Sequence, residues 1–446
     1  MLGVIGGGTA GMTTALLLAK KGHEVTIFEK EKELGGLWSS RFDSEGFFDS
    51  ENSCKVYQSS YRTSPALFEL INTTWQAHFV SRHDLKKEWL RPFIADTTFA
   101  DQRMLAKAFL LYLTGLKSYK TVSVADFLEQ NDFSEACRSW IRATALGGVT
   151  GTLRMTVWEL FHRARFNMPS IFSSGPDTLY WNAQPPNSPA GFVSKWRDEL
   201  ERLGVTIKLD CSVTDLVRIE SAPREQIAIL TSDRERHVAD AAFIGLPPPQ
   251  ILRLLGNSHP SFFEGWGPKV EDLPAVLTSS VYEHVGIAWT FDREFEKDLP
   301  LGGHSVRSGW YPILVQYPQF KEYLRSPGRT VVTGSLSLQT DLRHPRLGTL
   351  AREHGAEDLA DILWADQQLA DPSLPDPIAV KIYGNSAATQ IVEHGTLAVK
   401  NEKAPLYLAT HMNGMSPYFT SSLESTIQAG SAAAFAFDKG VIRLPT

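Results

Sequence analysis

The strongest constraint on the fold lies in the first thirty residues, "MLGVIGGGTAGMTTALLLAKKGHEVTIFEK". Leu2-Gly3-Val4-Ile5 reads as a short buried strand. Gly6, Gly8 and Gly11 follow at GxGxxG spacing, and "MTTALLLAKK" reads as a helix. Gly22 ends that helix, and "HEVTIFEK" reads as a second strand with Glu29 near its end. In this strand–turn–helix–strand–acid order the glycines have separate duties. Gly6 permits the tight turn, Gly8 lets a pyrophosphate approach the backbone, and Gly11 lets helix and strand pack closely. The helix start at Thr9 and Ala10 offers free N–H groups and the positive end of a dipole to the phosphates. An acid about twenty residues after the last glycine is suited to accept ribose hydroxyls. The unit therefore predicts a dinucleotide site built from Gly6, Gly8, Thr9, Ala10, Gly11, Glu29 and the adjacent Lys30. The acid at position 29 disfavours a 2′-phosphate there.

The next glycine pair, Gly35-Gly36 in "EKEKELGGLW", and "GFFDSE" at 46–51 extend this pattern. Here the chain resembles the flavoprotein superfamily that includes amine oxidases, phytoene desaturases and protoporphyrinogen oxidase. In that superfamily a glycine pair after the ribose-binding acid lets the chain run beside FAD, which implies FAD as cofactor and Gly36 as a contact. The superfamily usually has Arg after the two glycines. This chain has Leu37-Trp38, which resembles flavin-containing monooxygenases instead, as does "KVYQSSYRTSP" at 55–65. That resemblance implies FAD contacts from Leu37, Trp38, Thr63 and Ser64, with Arg41 in place of the missing phosphate-facing Arg.

Two later stretches resemble the amine oxidase superfamily. "GFVSKWRDELERLGVTIKLDCSVTDLVRI" reads as a helix and two strands, and "IAILTSD" and "HVADAAFIGLPPPQI" continue a sheet. Gly204, Val205, Ile207, Val213, Ala239, Asp240 and Pro247-Pro248 match the second FAD-binding segment, where the backbone of Val213 is implied to read the adenine edge. "APLYLATHMNGMSPYFTSSLESTIQAGSAAAFAF" reads as a strand, a loop and a small-residue helix. Glu424, Gly430 and Ala433-Ala434 match the third FAD segment. Thr410-His411 stands where the superfamily has Gly-acid, so Thr410 is expected to supply the hydrogen bond.

Between these segments, 100–170 is patterned as helices, with "GGVTG" at 147–151 as a helix-to-helix turn. The aromatic-rich runs "YEHVGIAWTF", "SGWYPILVQY" and "RTVVTGSLSL" alternate as a half-buried sheet. The expected fold is α/β: a Rossmann-like FAD domain of discontinuous segments plus a mixed-sheet substrate domain with a helical subdomain. Its boundaries are 1–65, 191–257 and 396–446 for the FAD segments, 66–190 for the helical part and 258–395 for the substrate sheet. Trp266, Trp289 and Trp310 are expected in the core. Tyr383 stands where the superfamily has a Trp near the flavin.

The catalytic candidates are His284, His411 and Tyr418, with Asn413 and Phe419 as further pocket residues. His284 in "HVGIAW" falls where many of these oxidases place a Lys, and can hold a water or exchange a proton. Tyr418 and Phe419 can wall an apolar or cationic substrate. No second Rossmann glycine motif is legible for NADPH, which favours reduction of the flavin by the substrate itself. The expectation is an FAD-dependent oxidase or dehydrogenase acting on a small amine or amino-acid-like molecule, with oxygen as acceptor. A flavin-dependent monooxygenase and a non-redox flavoprotein mutase are the alternatives.

Composition excludes other classes. A net charge of −6 gives no reason to expect nucleic acid or an acidic membrane as partner. The three cysteines, Cys54, Cys137 and Cys211, lack CxxC spacing, so neither a disulfide framework nor a metal site is indicated. No apolar run reaches the roughly 18 residues of a membrane span, and no signal peptide is legible, so the expected location is the cytosol.

Overall fold

The computed structural model describes all residues except 43–47, 52–56, 85, 149–152, 173–177, 220–224, 259–261, 279–280, 296–298, 300–308, 318–328, 389–396, 414–421 and 446. Its centre is a five-stranded sheet in the order Leu406–Leu408, Ala241–Ile244, Leu2–Ile5, Val25–Phe28, Thr206–Lys208. Every neighbouring pair is parallel. The strands LGVI, VTIF, AAFI and LYL are buried on both faces, which is why they read as continuous rather than alternating apolar runs. One face packs on the helices Thr9–Lys20, Phe192–Arg202 and Leu423–Phe437 through Val4, Ile27, Phe243 and Tyr407. The other face, through Ile5, Phe28, Ala242 and Leu408, packs on the meander Val213–Ile219, Gln226–Thr231, Arg236–Ala239 and on the helix Pro248–Asn257.

Leu2–Ile5 lies between a strand that follows it directly, Val25–Phe28, and one from 239 residues later in the sheet register, Leu2 opposite Ala241. The strand order therefore reverses at the end of the first strand, the place where ligands bind in sheets of this kind.

A four-stranded antiparallel sheet, in the order Ile313–Gln316, Thr330–Ser337, Val281–Phe291, Ala379–Ala388, forms a second layer. Val285, Ile287, Trp289 and Phe291 turn one of its faces onto the helix Ala356–Ala370. By the two-residue alternation of strands, His284, Gly286 and Ala288 lie on the opposite face. Trp266, Trp289 and Trp310 are fully buried. A third cluster joins the helices Phe99–Leu113, Val124–Gln130, Glu135–Gly148 and Val157–Phe172. The short sheet Tyr57–Gln58, Thr178–Asn182, Phe79–Asp84 is not legible in the sequence, because its partners are far apart along the chain.

Candidate nucleotide-binding site

The carboxyl ends of the parallel strands are tied together by a relay of backbone bonds. Gly6 N–H donates to Phe28 O (2.9 Å), Gly245 N–H to Ile5 O (2.8 Å) and Ala409 N–H to Ile244 O (3.0 Å). The glycine turn, Gly245 and Thr410 are thereby brought to one sheet edge. Gly6 has φ +99°, which a side chain rarely adopts. A Cβ on Gly11 would lie 2.0 Å from the Gly6 carbonyl oxygen, so the helix can approach the strand only with glycine there. Gly8 differs. A Cβ built on it meets nothing closer than the Gly36 Cα, at 4.0 Å. Gly8 is also the N-cap of Thr9–Lys20 and brings no capping side chain. The first-turn N–H groups, which have no acceptor inside the helix, are left at an open, glycine-walled space.

Gly35-Gly36 forms the opposite wall. Gly35 N–H donates to Gly7 O (2.9 Å), and Gly8 pairs with Gly35 in a parallel bridge. Leu37 packs on the main core, and Trp38, 6% exposed, lies in that core with its ring 5.4 Å from Tyr57. Of Arg41 only the backbone is described, in the strand Ser40–Phe42.

Glu29 lies at the end of the second strand and is buried. Its carboxylate accepts from Gly7 N–H (2.6 Å) and Glu31 N–H (2.9 Å). Burial raises its pKa, and the two N–H donors oppose that shift. Each oxygen keeps a second lone pair for a hydroxyl donor. Lys30 is exposed and pairs with Glu31 (3.2 Å). The second segment reaches the same place, since Cys211 N–H donates to the Glu29 carbonyl (2.8 Å). Val213 follows two residues later, half-buried and opposite Thr231.

The C-terminal helix closes the site from behind. A Cβ on Gly430 would lie 2.2 Å from Ala10 O, so this helix touches the glycine-loop helix backbone to backbone. Thr14 Oγ1 donates to Gly430 O (3.0 Å), and the hydroxyls of Thr9 and Thr426 bond at 2.7 Å. Glu424 is directed elsewhere. It accepts from the N–H groups of Arg62 (2.9 Å), Thr63 (2.7 Å) and Ser64 (2.8 Å) and from Ser64 Oγ (2.7 Å). Thr63 Oγ1 donates to Pro445 O. The sequence thus named three residues that meet, but their polar groups are engaged with one another at the start of the helix Thr63–Leu70.

Thr410 and His411 are buried just past the strand Leu406–Leu408, and Asn413 Nδ2 pins their turn to Leu408 O (3.0 Å) and Ala429 O (3.2 Å). Burial pushes the His411 imidazole down to about 3 and that of His284 to about 4. Both are neutral at ordinary pH, and Nε2 of each is buried with no partner among the described residues. Among the described contacts none joins His284 to His411. Tyr418 and Phe419 lie outside the described residues, as does the side chain of Tyr383. Gly7 and Gly245 were missed by sequence reasoning. A Cβ on Gly245 would lie 3.3 Å from Gly11, and the glycine directly after the apolar run "AAFI" was the available signal.

Among the described residues no His, Cys, Asp and Glu cluster is placed to hold a metal, and no helix is long and apolar enough to cross a membrane.

Comparison with known proteins agrees with this geometry. Residues 4–73 match the family model described as NAD(P)-binding Rossmann-like domain. Over 62 residues the chain is 42% identical to the flavin-containing monooxygenase FMO GS-OX1 of Arabidopsis thaliana, covering 14% of each chain. Over 140 residues it is 40% identical to a 4,4'-diapophytoene desaturase (4,4'-diaponeurosporene-forming) of Staphylococcus haemolyticus, covering 29% of this chain and 28% of that one. The chain thus matches only about one seventh of the length of the monooxygenase. Solved structures extend the likeness to the whole fold. An oxidoreductase from Methanosarcina mazei has a TM-score of 0.67 at 13% identity, covering 97% of this chain and 99% of that one. Wild-type putrescine oxidase bound to putrescine has a TM-score of 0.65 at 13% identity, covering 98% of each. The chain has the α/β fold of these oxidoreductases, with a Rossmann-like dinucleotide-binding unit at its N-terminus.

Proposed function

We propose that the protein is an FAD-dependent oxidoreductase of the amine oxidase type, acting on a small amine or amino-acid-like substrate with oxygen as acceptor. The observation that carries this reading is the space at Gly8, walled by Gly36, faced by uncapped helix N–H groups and bordered by a buried acid. A diphosphate dinucleotide fits that donor set, since the N–H groups take the phosphates and Glu29 takes ribose hydroxyls. Bound FAD supplies a hydride acceptor for a carbon beside nitrogen. Gly6, Gly8, Thr9, Ala10, Gly11 and Gly36 admit the phosphates, and Val213 and Thr410 border the same sheet edge. His284 and His411, both neutral, each offer an unpartnered Nε2 suited to hold a water or hydrogen-bond the substrate. Thr63, Ser64 and Glu424 contribute by fixing the C-terminal helix against the N-terminal segment.

A second reading, a flavin-dependent monooxygenase, is favoured by Leu37-Trp38 and by the N-terminal match to such enzymes. One anaerobic experiment separates the two. The protein loaded with FAD is mixed with a panel of amines and amino acids, or with NADPH, and the yellow flavin band is followed. The expected result is bleaching by an amine and none by NADPH. Bleaching by NADPH alone reverses the choice, and bleaching by dithionite only removes both.

A further inference from the structure

The helix Phe99–Leu113, "FADQRMLAKAFLLYL", is apolar on more than one face. Ala108 and Tyr112 are buried in the helical cluster, and Met104, Leu105, Phe109 and Leu111 pack against it. Yet Phe99, Leu110 and Leu113 are exposed at 79%, 60% and 47%, and Leu116 just beyond the helix at 78%. Together with Ile94 these are five of the thirteen large exposed hydrophobics among the described residues. At 100° per residue Phe99, Ala106, Leu110 and Leu113 fall on one line, about 21 Å long at 1.5 Å per residue. A helix with an apolar core-facing side and a second apolar stripe needs a further cover.

The charges beside the stripe say what that cover is. Residues 91–120 contain five basic residues, Arg91, Arg103, Lys107, Lys117 and Lys120, and two acids, Asp96 and Asp101. Asp101 is 1% exposed and is consumed by Thr98 and Ser134 in capping the helix start. The segment thus carries 5 − 2 = +3 in a chain of net charge −6. Arg103 and Lys107 lie along one flank of the stripe, exposed and without an ion-pair partner among the described residues. A second copy of the chain would set these like charges against each other across a two-fold contact. An anionic lipid surface takes both features, apolar side chains entering between headgroups and cations meeting phosphates.

We infer that the stripe Phe99–Leu110–Leu113–Leu116, flanked by Arg103, Lys107 and Lys117, docks the protein on an anionic bilayer surface without spanning it. Whole-chain charge, which gave no reason to expect such a partner, averages this patch away.

The test is co-sedimentation of the full chain with vesicles of phosphatidylcholine alone or with phosphatidylserine added. Binding is expected to the mixed vesicles and to weaken at high salt. L110E with L113E should abolish it. R103Q with K107Q should weaken it roughly thirtyfold, at about fivefold per lost cation. All four side chains are exposed, so the variants should keep the parent's thermal midpoint. If the leucine pair perturbs folding, the Arg103 and Lys107 variant decides alone. No binding to either vesicle overturns the inference, as does binding indifferent to the R103Q/K107Q change. A soluble dimer that L110E/L113E dissociates, without vesicle binding, assigns the stripe to a second copy instead. The readout is binding, so it stands or fails apart from the proposed oxidoreductase activity.

Discussion

A methyl group added at Gly8 and one added at Gly11 should have opposite consequences. At Gly8, φ is −72°, which alanine adopts freely, and the nearest atom to a new Cβ is 4.0 Å away. G8A should therefore fold with an unchanged thermal midpoint. The same Cβ projects into the space proposed for the phosphates, and crowding there at about 1–3 kcal/mol should weaken FAD binding by about 5- to 150-fold. At Gly11 the new atom would lie 2.0 Å from Gly6 O, so G11A should lower the midpoint itself. Fluorescence titration with FAD and a thermal melt on each variant check this. G8A binding FAD as tightly as the parent would sink the assignment of the cradle. The spacing of Gly6, Gly8 and Gly11 was legible because Gly6 and Gly11 answer local steric demands of the fold and Gly8 leaves room for a ligand. Glu424 was not legible in the same way. Its donors at 62–64 are about 360 residues distant, and a carboxylate at a helix start gives no sign of which helix it serves.

At the scale of elements, Glu424 stabilises two helix starts at once. It lies in the first turn of Leu423–Phe437, where a negative charge is favourable, and it caps Thr63–Leu70 from outside that helix. The helix Thr63–Leu70 has no side-chain cap of its own at Arg62. Replacing the carboxylate by an amide, E424Q, turns an acceptor oxygen into an NH2 group that must face a backbone N–H. The expected cost is about 2–3 kcal/mol in urea unfolding, the loss of a charge-assisted bond with an unsatisfied buried donor beside it. A change within a few tenths of a kcal/mol, the scatter of neutral surface substitutions, would mean the cap is dispensable. The same contrast of local and distant causes explains which elements the sequence shows. Helices such as Ala356–Ala370 and the parallel strands follow from local apolar pattern. The short strands Tyr57–Gln58 and Thr178–Asn182 exist through pairing across more than a hundred residues, and their sequences alone are too brief to carry a period.

Across the whole molecule, four histidines, His78 and His411 buried and His162 and His284 half-buried, predict how stability responds to acid. Burial lowers the imidazole pKa of His78, His162 and His284 to about 4 and of His411 to about 3. An unfolded histidine titrates near 6.5. Between those values the unfolded chain binds protons that the folded chain refuses, so stability rises with pH in that window. It is complete above about 6.5 and is lost progressively as pH falls toward 4, each histidine contributing at most about 1.4 kcal/mol per pH unit. Glu29 acts in the opposite direction. Its pKa is raised by burial, so its contribution weakens as pH rises above the ordinary carboxylate range. Asp101 and Glu199 are both held down at about 2, and their contribution is lost only below the histidine window. The urea midpoint should therefore fall between pH 7 and pH 5 as the histidines take effect. H411N should flatten that slope by about one proton's share while leaving the region above pH 7 parallel to the parent. H411N is informative beyond stability, because His411 stands past the strand Leu406–Leu408 at the same sheet edge as the proposed cofactor site. If a bound FAD oxygen accepts a hydrogen bond from the unpartnered Nε2, it favours the protonated imidazole, so adding FAD should reduce the acid sensitivity of the parent and leave that of the variant less changed. An acid slope identical in parent and variant, with and without FAD, would show that His411 titrates alike in the folded and unfolded chain and is not the buried neutral imidazole proposed for the site.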